Sequence, residues 1–156
     1  MKRLVDTNVL EVANDTAAES HGLDCIEACV DLLVDIQARG HLLLDDDFAI
    51  LREYMDHANE RGQPGVGDAF LRWAKTNEYN AALCTRVPVP LDDDRGYEAF
   101  PDDEALADFD RSDRKFVAVA LTHGGRPPIY NATDSDWAHH AGPLRDAGLR
   151  IEELCS

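Results

Sequence analysis

Five acidic residues stand where a carboxylate could do chemistry: Asp6, Glu53, Asp113, Asp134 and Asp136. Asp6 closes a short apolar run, Leu4-Val5, and the cap-type residues Thr7 and Asn8 then lead into Val9 and Leu10. Asp134 closes a second run, Pro128-Ile-Tyr-Asn-Ala132, with Asp136 two residues on. Glu53 and Asp113 fall in stretches of helical spacing. Asp113 shares a stripe with Phe116 and Val117, where an unpaired carboxylate is costly. In an open parallel sheet, ligands bind just beyond the carboxyl ends of the strands. Acids gathered at that edge repel one another, and a divalent cation relieves the repulsion. All-oxygen ligation favours Mg²⁺ or Mn²⁺ over Zn²⁺. Each acid also has an ordinary role. Asp6, Asp134 and Asp136 suit caps or turns, Glu53 a solvated helix face, and Asp113 the start of a helix at Asp110-x-x-Asp113.

The elements that must position these acids follow from periodicity. Residues 24–39 predict an amphipathic helix stopped by Gly40. His41-Leu-Leu-Leu44 predicts a strand, and Asp45-Asp46-Asp47 caps a following helix that runs to about Arg61 with Phe48, Leu51, Tyr54, Met55 and Ala58 as its apolar stripe. Gly62, Pro64, Gly65 and Gly67 mark a loop, and residues 68–78 a further helix. Residues 82–87 predict a strand whose ladder is limited by Pro88 and Pro90. An irregular, acidic excursion fills the rest of 80–110, held to the body by Tyr97 and Phe100. A helix from Asp110 to Gly124-Gly125 precedes the strand ending at Ala132. A short helix with His139 and His140 follows, broken by Gly142 and Pro143, before a last helical turn and edge strand near Leu149–Ile151. The alternation predicts one α/β domain over 1–156 with a mostly parallel sheet covered on both faces.

Composition narrows the setting. The chain has no 18-residue apolar run and no signal-peptide core, which predicts a cytoplasmic protein without membrane attachment. The net charge of −16 repels nucleic acid at long range. It suits high salt, where the Debye length is only ~3 Å at 1 M, or a basic protein partner, or acids that collect a cation. Cys25, Cys29, Cys84 and Cys155 form no CxxC pair, and they read as buried thiols of a reducing compartment rather than disulfide or metal ligands. Nothing resembles a zinc-binding HExxH or a nucleotide-cradling glycine loop. His139 and His140 follow the acids but are not needed by an oxygen ligand set.

Four segments in order, LVDTNVL (4–10), ILREY (50–54), DFDRSDRKFVAVAL (108–121) and NATDSDW (131–137), resemble the PIN-domain family of metal-dependent nucleases. The resemblance implies a three-layer α/β/α sandwich. It implies Asp6, Glu53, Asp113 and Asp134 as the catalytic, metal-binding set for Mg²⁺ or Mn²⁺, with Asp136 as an accessory ligand and Thr7 and Asn8 supporting the first acid. It further implies hydrolysis of RNA, as in VapC-type ribonuclease toxins neutralised by an antitoxin protein, and leaves a homodimer open. Asn8, Arg114 and Lys115 are the expected substrate contacts, with Arg52, Arg86 and Arg111 as further candidates. A haloacid-dehalogenase-like phosphatase would need DxD after the first strand, where the chain has Asp6-Thr7-Asn8. A response-regulator receiver would need an acid pair and a late lysine that the chain lacks. A non-catalytic binding module on the same fold is the alternative in a different functional class.

Overall fold

The apolar runs become short parallel strands in the computed structural model, which describes every residue except 16, 17, 19, 62–64 and 156. The strands are β1 (Leu4–Val5), β2 (Leu42–Asp45), β3 (Cys84–Val87), the small antiparallel pair β4 (Leu91–Asp92) and β5 (Gly96–Tyr97), β6 (Pro128–Asn131) and β7 (Arg150–Glu153). β1, β6 and β7 form a parallel sheet in the order β1-β6-β7, with Leu4 beside Ile129 and Asn131 beside Glu153. β2 and β3 form a second parallel pair. A parallel bridge between Arg3 and Leu42 sets β2 against β1. Leu4, Val5, Leu42, Leu43 and Ile129 are fully buried, as expected of strands covered on both faces.

The helices are α1 (Thr7–Ala13), α2 (Leu23–Arg39), α3 (Ala49–His57), α4 (Val66–Asn77), α5 (Arg114–His123), α6 (Ser135–His139) and α7 (Ala141–Asp146). Asp45 starts α3 as its position suggests, its carboxylate accepting from the backbone N–H groups of Asp47, Ala49 and Ile50 at 2.8–3.1 Å. The helix ends at His57, earlier than expected, and its core stripe is Ile50, Leu51 and Tyr54. Phe48 and Met55 are exposed: Phe48 precedes the helix in the left-handed region and so leaves the stripe, and Met55 lies outside the buried face of Ile50, Leu51 and Tyr54. Of the glycine-rich loop before α4, residues 62–64 lie outside the described set. α4 crosses α1 closely at Gly67, where a Cβ would sit 2.1 Å from the Leu10 carbonyl oxygen. Asp68 locks this crossing by accepting from Asn14 Nδ2 and the backbone N–H groups of Asn59 and Gly65.

The helix carrying His139 is broken as expected, but at His140: α6 ends at His139, and Gly142 and Pro143 lie in the first turn of the next helix, α7, where a missing N–H costs nothing. The reading of the cysteines is corrected. Cys25 is not a free thiol: it forms a disulfide with Cys155, two residues after β7, and so ties the end of that strand to α2. The spacing of 130 residues hid this pairing, since only the fold brings the two together. Cys29 and Cys84 remain buried thiols, and burial pushes them up to about 12 and about 11.

The acidic excursion hangs on Arg114. Its buried guanidinium donates to the carbonyls of Phe109 (2.9 and 3.1 Å), Ala107 (3.0 Å) and Arg95 (3.1 Å), and it stacks 4.4 Å from the Phe100 ring centre. Phe100 and Phe109 stack beneath it, and Phe109 meets Trp137 edge-on. Arg114 therefore organises a loop and is not aimed at a phosphate. Arg114→Lys keeps the charge but loses the planar fork. It should lower unfolding stability by about 2 kcal/mol, since charge-assisted hydrogen bonds contribute ~1.5–3 kcal/mol. Urea denaturation checks this, and a change only in substrate affinity would contradict it.

Candidate metal centre

Three of the sequence-selected acids meet. Asp6 leaves β1 and caps α1, Asp113 ends a 3₁₀ turn (Arg111–Asp113) that leads into α5, and Asp134 follows β6 and caps α6. One carboxylate oxygen from each lies within 4.8 Å of the others. The parallel pairing of β1 and β6 accounts for this, because it brings the carboxyl ends of both strands to one edge. Asp6 and Asp113 are each only 4% exposed.

Asp6 is held by donors on two sides. The Trp137 indole N–H donates to Oδ2 at 2.7 Å, and the Asn8 backbone N–H reaches Oδ1 at 3.4 Å. Asp134 Oδ1 accepts from the Asp136 backbone N–H at 2.9 Å. Asp113 caps nothing, and its Oδ2 is a buried oxygen without a donor among the described residues. Burial raises the Asp6 carboxyl to about 7, with Glu53 and Asp134 adding to the rise and the Trp137 and Asn8 donors opposing it. Burial, then the charge of Asp6 and the hydrogen bond and charge of Asp134, raise Asp113 to about 9.

These residues fit a hard cation. Every donor is oxygen, one buried oxygen lacks a proton donor, and the spread of the ligand atoms is small. Octahedral Mg²⁺ at 2.0–2.1 Å places ligand oxygens roughly 2.9–4.2 Å apart, so a slight closure of the cluster would suffice.

The remaining candidates stand around this trio. Glu53 is not among the three. It accepts from the Thr7 hydroxyl and, at 3.1 Å, from Lys115 Nζ. Lys115 is 7% exposed and also donates to the Ser112 carbonyl, so it balances Glu53 from inside and does not present its charge to solvent. Thr7 thus supports Glu53 instead of Asp6. Asp136 turns towards the excursion, accepting from the Asp110 backbone N–H at 2.8 Å and lying 3.3 Å from His140 Nδ1. Asn8 links strand ends: its amide donates to Asn131 Oδ1 at 2.8 Å, and its oxygen accepts from the Ala132 N–H at 2.9 Å. Of the other basic candidates, Arg86 lies over the rings of Phe48 and Tyr79, and Arg111 donates to the Asp94 carbonyl. His140 joins Asp108 at 3.0 Å, outside the acid trio.

Trp137, Asn131 and Glu153 were not singled out by sequence. Trp137 carried a signal, since a core-bound indole N–H needs an acceptor and Asp134-Ser-Asp-Trp137 places it beside the acids. Compared with known proteins, the chain matches no family model, no curated protein and no solved structure.

The raised carboxyl groups set a pH dependence. The unfolded chain protonates these acids only near pH ~4, whereas folded Asp6 and Asp113 keep protons up to about 7 and about 9. The folded state therefore binds more protons between those limits, and without a metal its stability falls as pH rises through them. Asp113→Asn removes the larger part. In EDTA at pH 8 it should raise Tm by roughly 5 °C, about 2 kcal/mol for a chain of this size, with little change at pH 4. Melting curves across that range check the sign, and a lower Tm for the variant at pH 8 contradicts it.

Proposed function

We propose that this chain is a metal-dependent endoribonuclease of the PIN-domain kind, with its parallel strands sandwiched as the middle of three α/β/α layers. The observation that carries the reading is the convergence of Asp6, Asp113 and Asp134 beyond the carboxyl ends of β1 and β6, with a buried Asp113 oxygen left without a donor. Asp6, Asp113 and Asp134 would hold Mg²⁺ or Mn²⁺. When bound, such an ion supplies charge for the phosphate oxygens and acidity for a coordinated water.

The chain's own residues have separate tasks. Trp137 and the Asn8 backbone hold Asp6 so that its carboxylate stays ionised more readily than burial alone allows. Lys115 fixes Glu53 at the border of the cluster, where that carboxylate can orient a water or a sugar hydroxyl. Asn8 keeps the two strand ends at one separation. Substrate contacts by Arg114 and Lys115 form no part of the proposal, because both cations are buried and engaged. With a net charge of −16, binding to a polyanion has to begin at the metal. The same charge suits a basic protein partner of the antitoxin kind.

One observation favours a second reading, a binding module without turnover: Lys115 already matches the charge of Glu53 inside the site. Single-stranded RNA with Mg²⁺ or Mn²⁺ separates the two. The enzyme reading predicts cleavage that EDTA stops and that Asp6→Asn lowers by at least ~100-fold, about 2.7 kcal/mol of transition-state stabilisation, with the fold intact by circular dichroism. Cleavage by Asp6→Asn at the parent rate overturns the metal assignment. A parent protein that binds Mn²⁺ yet cuts neither RNA nor DNA supports the binding module.

A further inference from the structure

The cluster reaches the chain's last strand through an unbroken line of hydrogen bonds. Asn131 ends β6 and is 1% exposed. Its amide donates to the Asp134 carbonyl at 2.8 Å and to Glu153 Oε2 at 2.7 Å, while its oxygen accepts from Asn8 Nδ2 at 2.8 Å and from the Asp134 N–H at 3.2 Å. This one side chain therefore fixes both backbone groups of Asp134 and bridges to the turn that carries Asp6. Glu153 sits opposite Asn131 on β7, an edge strand paired on one side only. The next ladder bond runs from the Leu154 N–H to the Asn131 carbonyl at 2.8 Å, and Cys155 beside it is bonded to Cys25 on α2.

A four-residue edge strand frays readily unless something ties it down. Here the tie is covalent. It lies at the surface, where Cys25 and Cys155 line a cavity of about 480 Å³ with Gly22, Leu23, Asp24 and Leu154, open to a small thiol. Cys29, a buried thiol that burial pushes up to about 12, lies within 4.8 Å of both sulfurs.

We propose that Asn131 and Glu153 are positioning residues for Asp134, and that the Cys25–Cys155 disulfide keeps them in place, so that a dithiol reductant loosens the divalent-ion site from its far end. This inference rests on the metal site proposed above. The redox step is balanced: a dithiol gives two electrons and two protons and closes to its own disulfide, the Cys25–Cys155 bond breaks, and both sulfurs become thiols. β7 is then held by its ladder alone, Glu153 leaves Asn131, and the side chain that fixes the Asp134 main chain keeps three of its four hydrogen bonds and is held less firmly.

Two readouts test this on the whole chain: Mn²⁺ affinity by titration, and amide hydrogen exchange at residues 132–136. Removing partners that orient metal ligands costs ~10–100-fold in affinity, so reduction by dithiothreitol, Cys155→Ser and Glu153→Ala should each weaken Mn²⁺ binding about tenfold and speed exchange there. Glu153→Gln keeps an acceptor for the Asn131 amide and should restore both. Reduction should add nothing further to Glu153→Ala, since both act on one contact. If a thiol assay confirms two new thiols yet affinity and exchange are unchanged, the proposal is overturned. Should the oxidised protein bind no Mn²⁺, the metal reading itself has failed. Exchange at 132–136 then decides the coupling alone: acceleration on reduction supports it and constancy overturns it.

Discussion

Like charges confined to a small, mostly dry space are the constraint around which this molecule is built. Asp6, Asp113 and Asp134 would separate if the backbone allowed it, and each is denied the means. Asp6 is fixed because the chain has just left a fully buried strand and enters a helix that it caps. Asp134 is fixed in the same way at the end of β6. Asp113 is fixed because the residues after it, Phe116 to Val119, are fully buried along α5. Part of the cost is offset by neutral donors: the indole of Trp137, the Asn8 N–H and the Asp136 N–H. The rest is met by protons, held at pH values where an exposed carboxylate would have lost them. A site that must hold protons to stay comfortable is a site that can exchange them for a cation.

The electrostatics outside the cluster are arranged with equal care. Lys115, next in sequence but one to Asp113, turns inward to Glu53 and leaves its charge inside the protein. Arg114, between them, turns to the carbonyls of the excursion. Two adjacent cations that a linear reading assigns to a ligand are thus both committed to the protein itself. Their common cause is the start of α5, whose first turn is buried on every side, so any long side chain there has to find internal acceptors. The outer surface remains strongly negative, and attraction for a polyanion is concentrated wherever a bound cation would be.

Much of this was legible in the residues. Strand ends at Asp6 and Asp134 follow from apolar runs closed by an acid and a capping type, and the parallel order follows from alternation of short strands with helices. Asp113 was marked by its place on an apolar stripe, a local conflict that usually signals a site. What was hidden depended on pairs far apart in the chain. Glu53 meets Thr7 and Lys115, Asn131 meets Asn8 and Glu153, and Cys25 meets Cys155. No periodicity encodes such pairings. The stripe drawn through Phe48 and Met55 failed at both ends: Phe48 stands outside the helix in the left-handed region, and the buried face is centred on Ile50, Leu51 and Tyr54, which leaves Met55 exposed. The Gly142-Pro143 dipeptide signalled a real break between two helices, but the break falls at His140 and the dipeptide opens the second helix, where a missing N–H is harmless.

The contact at Gly67 carries a last consequence. α4 there touches the main chain of α1 with no room for even a methyl group, the nearest atom being the Leu10 carbonyl oxygen at 2.1 Å from a would-be Cβ. Backbone resting on backbone is a stiff joint, because no rotamer can yield. α1 is the helix that Asp6 caps, so a small wedge at this joint would tilt the first acid from behind while leaving every acid chemically intact. A side chain at position 67 would therefore press on the helix that Asp6 caps while touching none of the acids.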